Sequence, residues 1–151
     1  MKHVLHIISG DQWAGAESQA YIFLKELNKT PRFILTAVVF NKGKLYLKLN
    51  REGIFTVLLD EKQSGSLSLL RDLCHLITEA KPHIIHTHGY KGHILACFAN
   101  LMCRRKATIV RTLHGLTSSG LGFRHLKSDM VLKADHVALR YLSWPGKMNL
   151  A

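Results

Sequence analysis

Long apolar runs are missing from this 151-residue sequence. The longest, Phe33 to Phe40 and Ile94 to Met102, fall well short of the roughly 18 residues a bilayer crossing needs, which excludes a transmembrane reading. Before Asp11 there is one basic residue, Lys2, a short apolar run with His3 and His6, and no small-x-small cleavage site. A signal peptide has a different layout, so cytoplasmic residence is expected. Cysteine is scarce too: Cys74, Cys97 and Cys103 are odd in number and form no C-x-x-C pair, which argues against a disulfide framework and a zinc ribbon. Acidic residues are few, 10 Asp plus Glu against 21 Lys plus Arg. The imbalance is uneven, with 10 basic and 7 acidic residues over 1–75 but 11 basic and 3 acidic over 76–151, where seven of the ten histidines also fall. An anionic partner is implied. No aromatic-interleaved basic stripe accompanies the charge, so direct nucleic-acid readout is not expected.

What is present alternates. The run His3 to Ile8 leads into the loop Ser9 to Gly15, after which Ala20, Phe23, Leu24 and Leu27 recur at helical spacing. Pro31 ends that helix, and Phe33 to Phe40 is too continuously apolar and β-branched for anything but a buried strand. Leu45, Tyr46 and Leu49 predict a short helix ending at Gly53, and Ile54 to Leu59 a third strand. Leu69, Leu70, Leu73, Leu76 and Ile77 mark a helix that stops before Pro82, and Ile84-Ile85 centre a fourth strand. Ile94, Leu95, Phe98, Leu101 and Met102 line one face of the next helix, and Ala107 to Thr112 is a fifth strand. A loop, Gly115 to Gly122, then precedes a last helix with the stripe Phe123 to Tyr141. Strands alternating with helices at this spacing imply a Rossmann-like, doubly wound parallel sheet in three α/β/α layers.

Ligands of such sheets bind at the carboxyl ends of the strands where the order reverses. That rule selects Ser9 to Gly15, His86-Thr87-His88-Gly89 and Leu113-His114-Gly115. In the first loop Ala16-Glu17 stands where a P-loop needs Lys and Ser or Thr, so an NTPase is excluded. The second strand ends Phe40-Asn41-Lys42, without the acid that holds a ribose diol, which disfavours nicotinamide. Gly15 at a helix N-terminus suits close approach of a phosphate; equally, it could simply make the turn, with Glu17 complementing the helix dipole. His86 and His88, two apart on a strand, project to one face as in His-x-His metal sites. Two ligands are too few, and the spacing of Asp11, Asp60 and Glu61 recommends none of them, so no metal is expected. His114, between a β-branched strand and a glycine, is placed to hydrogen-bond a ligand hydroxyl or developing charge; the alternative is a purely structural histidine. His6, His75, His93, His125 and His136 are read as structural or solvated.

Four strings carry a family resemblance: Val4-Leu5-His6-Ile7-Ile8, Ala14-Gly15-Ala16-Glu17, Lys81-Pro82-His83-Ile84-Ile85-His86-Thr87-His88, and Arg111-Thr112-Leu113-His114-Gly115. In order and spacing, over about residues 3 to 142, the sequence resembles the N-terminal domain of GT-B glycosyltransferases of retaining family 4. The resemblance implies an acceptor-side domain, residues 1–142, of an enzyme that moves a sugar from a nucleotide-diphosphate donor to a glycan or lipid-linked acceptor, in cell-surface polysaccharide or lipopolysaccharide assembly, without a required metal or cofactor. By it, Gly15 and Ala16 lie against the donor diphosphate with Glu17 in the same helix turn. His114 contacts the donor sugar as the catalytic residue, and His86, His88 and Gly89 border the acceptor pocket. The family's paired glycine is Ala14-Gly15 here. Its C-terminal nucleotide-sugar domain carries two glutamates eight apart, and none of Glu17, Glu26, Glu52, Glu61 and Glu79 is so spaced. A single, truncated GT-B half is therefore expected, inactive alone, with a frayed tail over 143–151 and possible attraction to anionic membrane surfaces. The alternative from another class is a non-catalytic module that binds a phosphorylated small molecule or an acidic partner in the same cleft.

Overall fold

A computed structural model describes residues 1–112 of the chain. The strands are β1 (Lys2–Ile8), β2 (Phe33–Val39), β3 (Phe55–Leu58), β4 (Ile84–His88) and β5 (Thr108–Thr112); the helices are α1 (Gly15–Asn28), α2 (Lys44–Arg51), α3 (Ser66–Ala80) and α4 (Tyr90–Met102). All strand pairs are parallel, in the order β3-β2-β1-β4-β5. The order reverses at β1, so the loops after β1 and β4 diverge at one end of the sheet. This is the expected doubly wound architecture. His114, the stripe Phe123 to Tyr141 and the segment 143–151 lie outside the described residues. Among the described residues no helix is long and apolar enough to cross a membrane.

Because side chains of a strand alternate between faces, each strand feeds two cores. Leu5, Ile7, Val38 and Ile85 pack with α3 and α4 through Leu69, Leu73, Ile77, Ala96 and Ala99. Val4, Ile8, Leu35, Ala37 and Val39 pack with Ala20 and Leu24 of α1 and Leu45 and Leu49 of α2. His6 has the parity of the second set. So do His86, paired with His6 in the β1–β4 register, and His88 two residues on.

Helix α4 departs from the sequence expectation. Of the stripe Ile94, Leu95, Phe98, Leu101 and Met102, only Leu95 is buried among the described residues, while Phe98, Leu101 and Met102 are 45%, 57% and 63% exposed. The buried face is instead Gly92, His93, Leu95, Ala96, Cys97, Ala99 and Asn100. Small residues win this face because the helix lies close on the sheet: a Cβ at Gly92 would sit 3.1 Å from Ile7 Cγ2. At the sheet edge, Phe55 of β3 is also largely exposed.

Candidate functional site

Of the segments selected by the strand order, Ser9 to Gly15 and His86 to Gly89 lie at the same end of the sheet, and Leu113-His114-Gly115 is outside the described residues. In the first, Gly10 has φ of 73°, a left-handed conformation that glycine adopts without strain. It is also packed closely: a Cβ at Gly43, which precedes α2, would lie 2.5 Å from the Gly10 carbonyl oxygen. The loop is thereby tied to α2. Gly15 opens α1 under different conditions, with a φ outside the left-handed region and no atom within 4 Å of where a Cβ would stand. Neither the turn nor packing requires glycine there. Ala14, the N-cap, makes no side-chain cap, so the first amides of α1 have no capping side chain. Ala16 is half-buried, and Glu17 is buried in the first turn, where the helix dipole favours an acid.

Under α1 the sheet carries a cluster of rings. His6 and His86 have centroids 4.9 Å apart, His86 and His88 4.4 Å, and His6 and His88 6.0 Å. Phe23 of α1 meets both His6 and His86 edge-on at 5.8 Å, which explains why a residue of the predicted apolar stripe is part exposed: it covers rings rather than entering the aliphatic core. His86 Nε2 lies 2.8 Å from Thr112 Oγ1. A hollow of about 200 Å3 opens between the rings and α1, lined by Gln19, Ala20, Phe23, His86, His88 and Thr112. Burial, and then the neighbouring His86 and His88, hold His6 well below the usual imidazole range, so it is neutral at pH 7. Gly89 follows with φ of 92° as the N-cap of α4.

Sequence reasoning paired His86 with His88 and assigned His6 a structural or solvated role. The fold adds His6 to the pair, through a register that joins residues eighty apart. The signal in the sequence was a histidine inside the otherwise apolar stretch Val4 to Ile8. A second group was also missed. Glu61 is held by Lys91, at the start of α4, and by Asn41 Nδ2 at 2.5 Å, while Asn41 also donates to the Ser9 carbonyl at 3.2 Å. Burial opposes the Glu61 charge, yet Lys91 and Asn41 outweigh it and keep the carboxyl below its ordinary range. The network links the loops after β1, β2 and β3 to α4. His93 is buried behind the sheet, its Nδ1 3.2 Å from Thr87 Oγ1, and burial followed by the charge of Arg111 lowers its pKa to about 4.

The parallel sheet, the uncapped start of α1 and the histidine-lined hollow beside the switch point together define a doubly wound α/β domain with its candidate site at the carboxyl end of the strands. The sequence profile of glycosyltransferase family 4 matches residues 13–145, and the chain belongs to that family. No curated protein sequence matches the chain. Among solved structures it is similar to HepE of Anabaena in complex with UDP, with a TM-score of 0.70, 19% identity, and coverage of 95% of this chain and 36% of that one. It is similar also to MurG of Acinetobacter baumannii, with a TM-score of 0.61, 13% identity, and coverage of 87% and 39%. A UDP-N-acetylglucosamine 2-epimerase matches with a TM-score of 0.60, 16% identity, and coverage of 91% and 40%. The GT-B, Rossmann-like architecture is common to this chain and the glycosyltransferases it matches. The chain spans little more than a third of the length of these structures.

Proposed function

We propose that this chain is the acceptor-side domain of a retaining glycosyltransferase that takes a sugar from a nucleotide-diphosphate donor and delivers it to a glycan or lipid-linked acceptor on the cytoplasmic face of the membrane. The observation that carries the reading is Gly15: a glycine that neither backbone angle nor packing demands, at a helix start with open space where its side chain would stand. Such a position is suited to a diphosphate approaching the first amides of α1, where the dipole favours negative charge. The UDP in the Anabaena HepE structure supports the same ligand class.

In this reading Gly15 and Ala16 bind the donor diphosphate through backbone N–H groups, and buried Glu17 sets the first turn of α1. His86, His88 and Gly89 border the acceptor hydroxyl. His114 contacts the donor sugar near the reacting carbon, where a hydrogen bond that strengthens with developing charge lowers the barrier. A second α/β domain supplies the rest of the nucleotide-sugar site, so residues 1–142 alone bind weakly and do not turn over. Membrane contact is supported by Trp13, whose ring lies 5.3 Å from Lys44 Nζ and 5.2 Å from Lys48 Nζ, with Leu47 exposed on the same helix. Aromatic and basic side chains together suit a headgroup layer.

Titration of the chain with UDP and a panel of nucleotide sugars, followed by NMR, tests the donor assignment. Perturbation of the Gly15 and Ala16 amides, weakened about tenfold or more by Gly15→Val, is expected from a side chain that blocks backbone approach. Binding unaffected by Gly15→Val would remove this loop from the donor site.

A further inference from the structure

The transfer reading makes no use of His6. It is fully buried, and neither ring nitrogen has a hydrogen-bond partner among the described residues. The fold does not need a histidine there, because Val4 and Ile8, two residues to either side on the same face, are plain aliphatics in the α1–α2 core. An imidazole with two unanswered nitrogens, beside two more imidazoles, is a donor set awaiting an acceptor of its lone pairs.

We propose that His6, His86 and His88 form a binding site for one first-row transition ion, Zn2+ best matching it, with the remaining coordination position facing the hollow beside Phe23. One ring nitrogen from each residue falls within 4.8 Å of the other two. Tetrahedral zinc with nitrogen ligands at about 2.0–2.1 Å holds those nitrogens roughly 3.3 Å apart, so the widest pair closes by about 1.5 Å, a displacement that ring rotation supplies. The backbone already provides the convergence: His6 and His86 are register partners on adjacent central strands, and His88 follows on the same face. The cluster contains three imidazoles and no carboxylate, a set that suits zinc, copper or nickel and disfavours magnesium and calcium, which take oxygen ligands. Thr112 Oγ1, 2.8 Å from His86 Nε2, is the kind of outer contact that orients a metal-bound ring. Three neutral ligands leave the ion's charge uncompensated, so its open position takes water or an anionic oxygen from the hollow, which Gln19 and Thr112 also line.

The test uses the full chain, stripped with a chelator and titrated with Co2+ and then Zn2+, with no donor or acceptor added, so its result is independent of whether the chain transfers sugar. One Co2+ per chain, with the intense visible absorption of tetrahedral coordination and displacement by Zn2+ but not by Mg2+, is expected. His6→Phe keeps an aromatic ring against Phe23, and His88→Asn changes the edge of the hollow. Each should weaken binding about 100-fold or more, at or beyond the upper end of the loss seen when only an outer contact of a ligand is removed. His75→Ala, on the exposed side of α3, should leave it unchanged. Circular dichroism establishes that each variant is folded; if His6→Phe is not, His88→Asn and His86→Ala provide the same reading from the rim. Absence of stoichiometric Co2+ binding, or binding that survives loss of a cluster histidine in a folded variant, overturns the proposal.

Discussion

The two faces of this sheet are made from alternate residues of the same strands, and they differ in kind. On the face toward α3 and α4, Leu5, Ile7, Val38 and Ile85 meet leucines, isoleucines and small residues in a core that, among the described residues, is apolar apart from Thr36, Thr87, His93 and Asn100. On the face toward α1 and α2, the same strands contribute His6, His86 and His88 next to Val4, Ile8 and Ala37. One face holds the domain together; the other gives up some of that cohesion for chemistry. Adjacent residues Leu5 and His6 therefore have opposite duties, although both are completely buried.

That contrast is open to direct attack. Leu5→Ala, which empties a position in the dry core, should destabilise the domain by about 2–5 kcal/mol, read from denaturant midpoints at constant m-value. The next largest effect is a titration. His93, whose pKa falls from 6.5 to about 4 on folding, is neutral in the native state, while the unfolded chain takes up its proton below about pH 6.5. Stability from this group is thus complete above pH 6.5 and declines by about 3 kcal/mol as pH falls to 4, and His6, shifted in the same direction, steepens the decline. Denaturant midpoints across that range should slope downward with acid, less so in His93→Gln. Gly43→Ala brings a Cβ against the Gly10 carbonyl, and a loss of about 1–3 kcal/mol is expected from the forced shift, together with altered chemical shifts in the loop after β1. Smallest, and opposite in sign, is His6→Leu in the presence of chelator: removing two unpartnered nitrogens should raise stability by about 1 kcal/mol. A loss as large as that of Leu5→Ala would erase the distinction between the faces.

The order of elements was legible because its signals are local. Pro31, Gly53 and Pro82 punctuate runs whose periods switch between 2 and 3.6, and each run within the described residues occupies the element expected of it, with ends differing by a residue or two. The inward face of α4 was misjudged for a physical reason: reading apolar bulk as burial favours Phe98 and Leu101, whereas a helix seated closely on a sheet buries Gly92, Ala96 and Ala99. The site was legible in part. Strand ends and a glycine at a helix start follow from topology, so Gly15, His86, His88 and Gly89 could be placed at the right end of the sheet. His6 could not be joined to them, nor Glu61 to Lys91, because those meetings depend on strand register and on loops from separate crossovers. Neither leaves a trace in spacing along the chain.

The pairing of β1 with β4 has a consequence for synthesis. The His3 amide nitrogen lies 3.1 Å from His83 Nδ1 across a separation of eighty residues, and all of Val4 to Ile7 find their β4 partners over similar spans. At about 5–20 residues per second, a ribosome needs about 4–16 s to make that stretch. During this interval β1 can acquire β2 as a neighbour while the backbone groups of its other edge have no native strand to receive them. Within the domain, the strand that ends up between β2 and β4 is made before both of them and waits about eighty residues for its second neighbour, so one of its edges stays open to mispairing while the rest is synthesised.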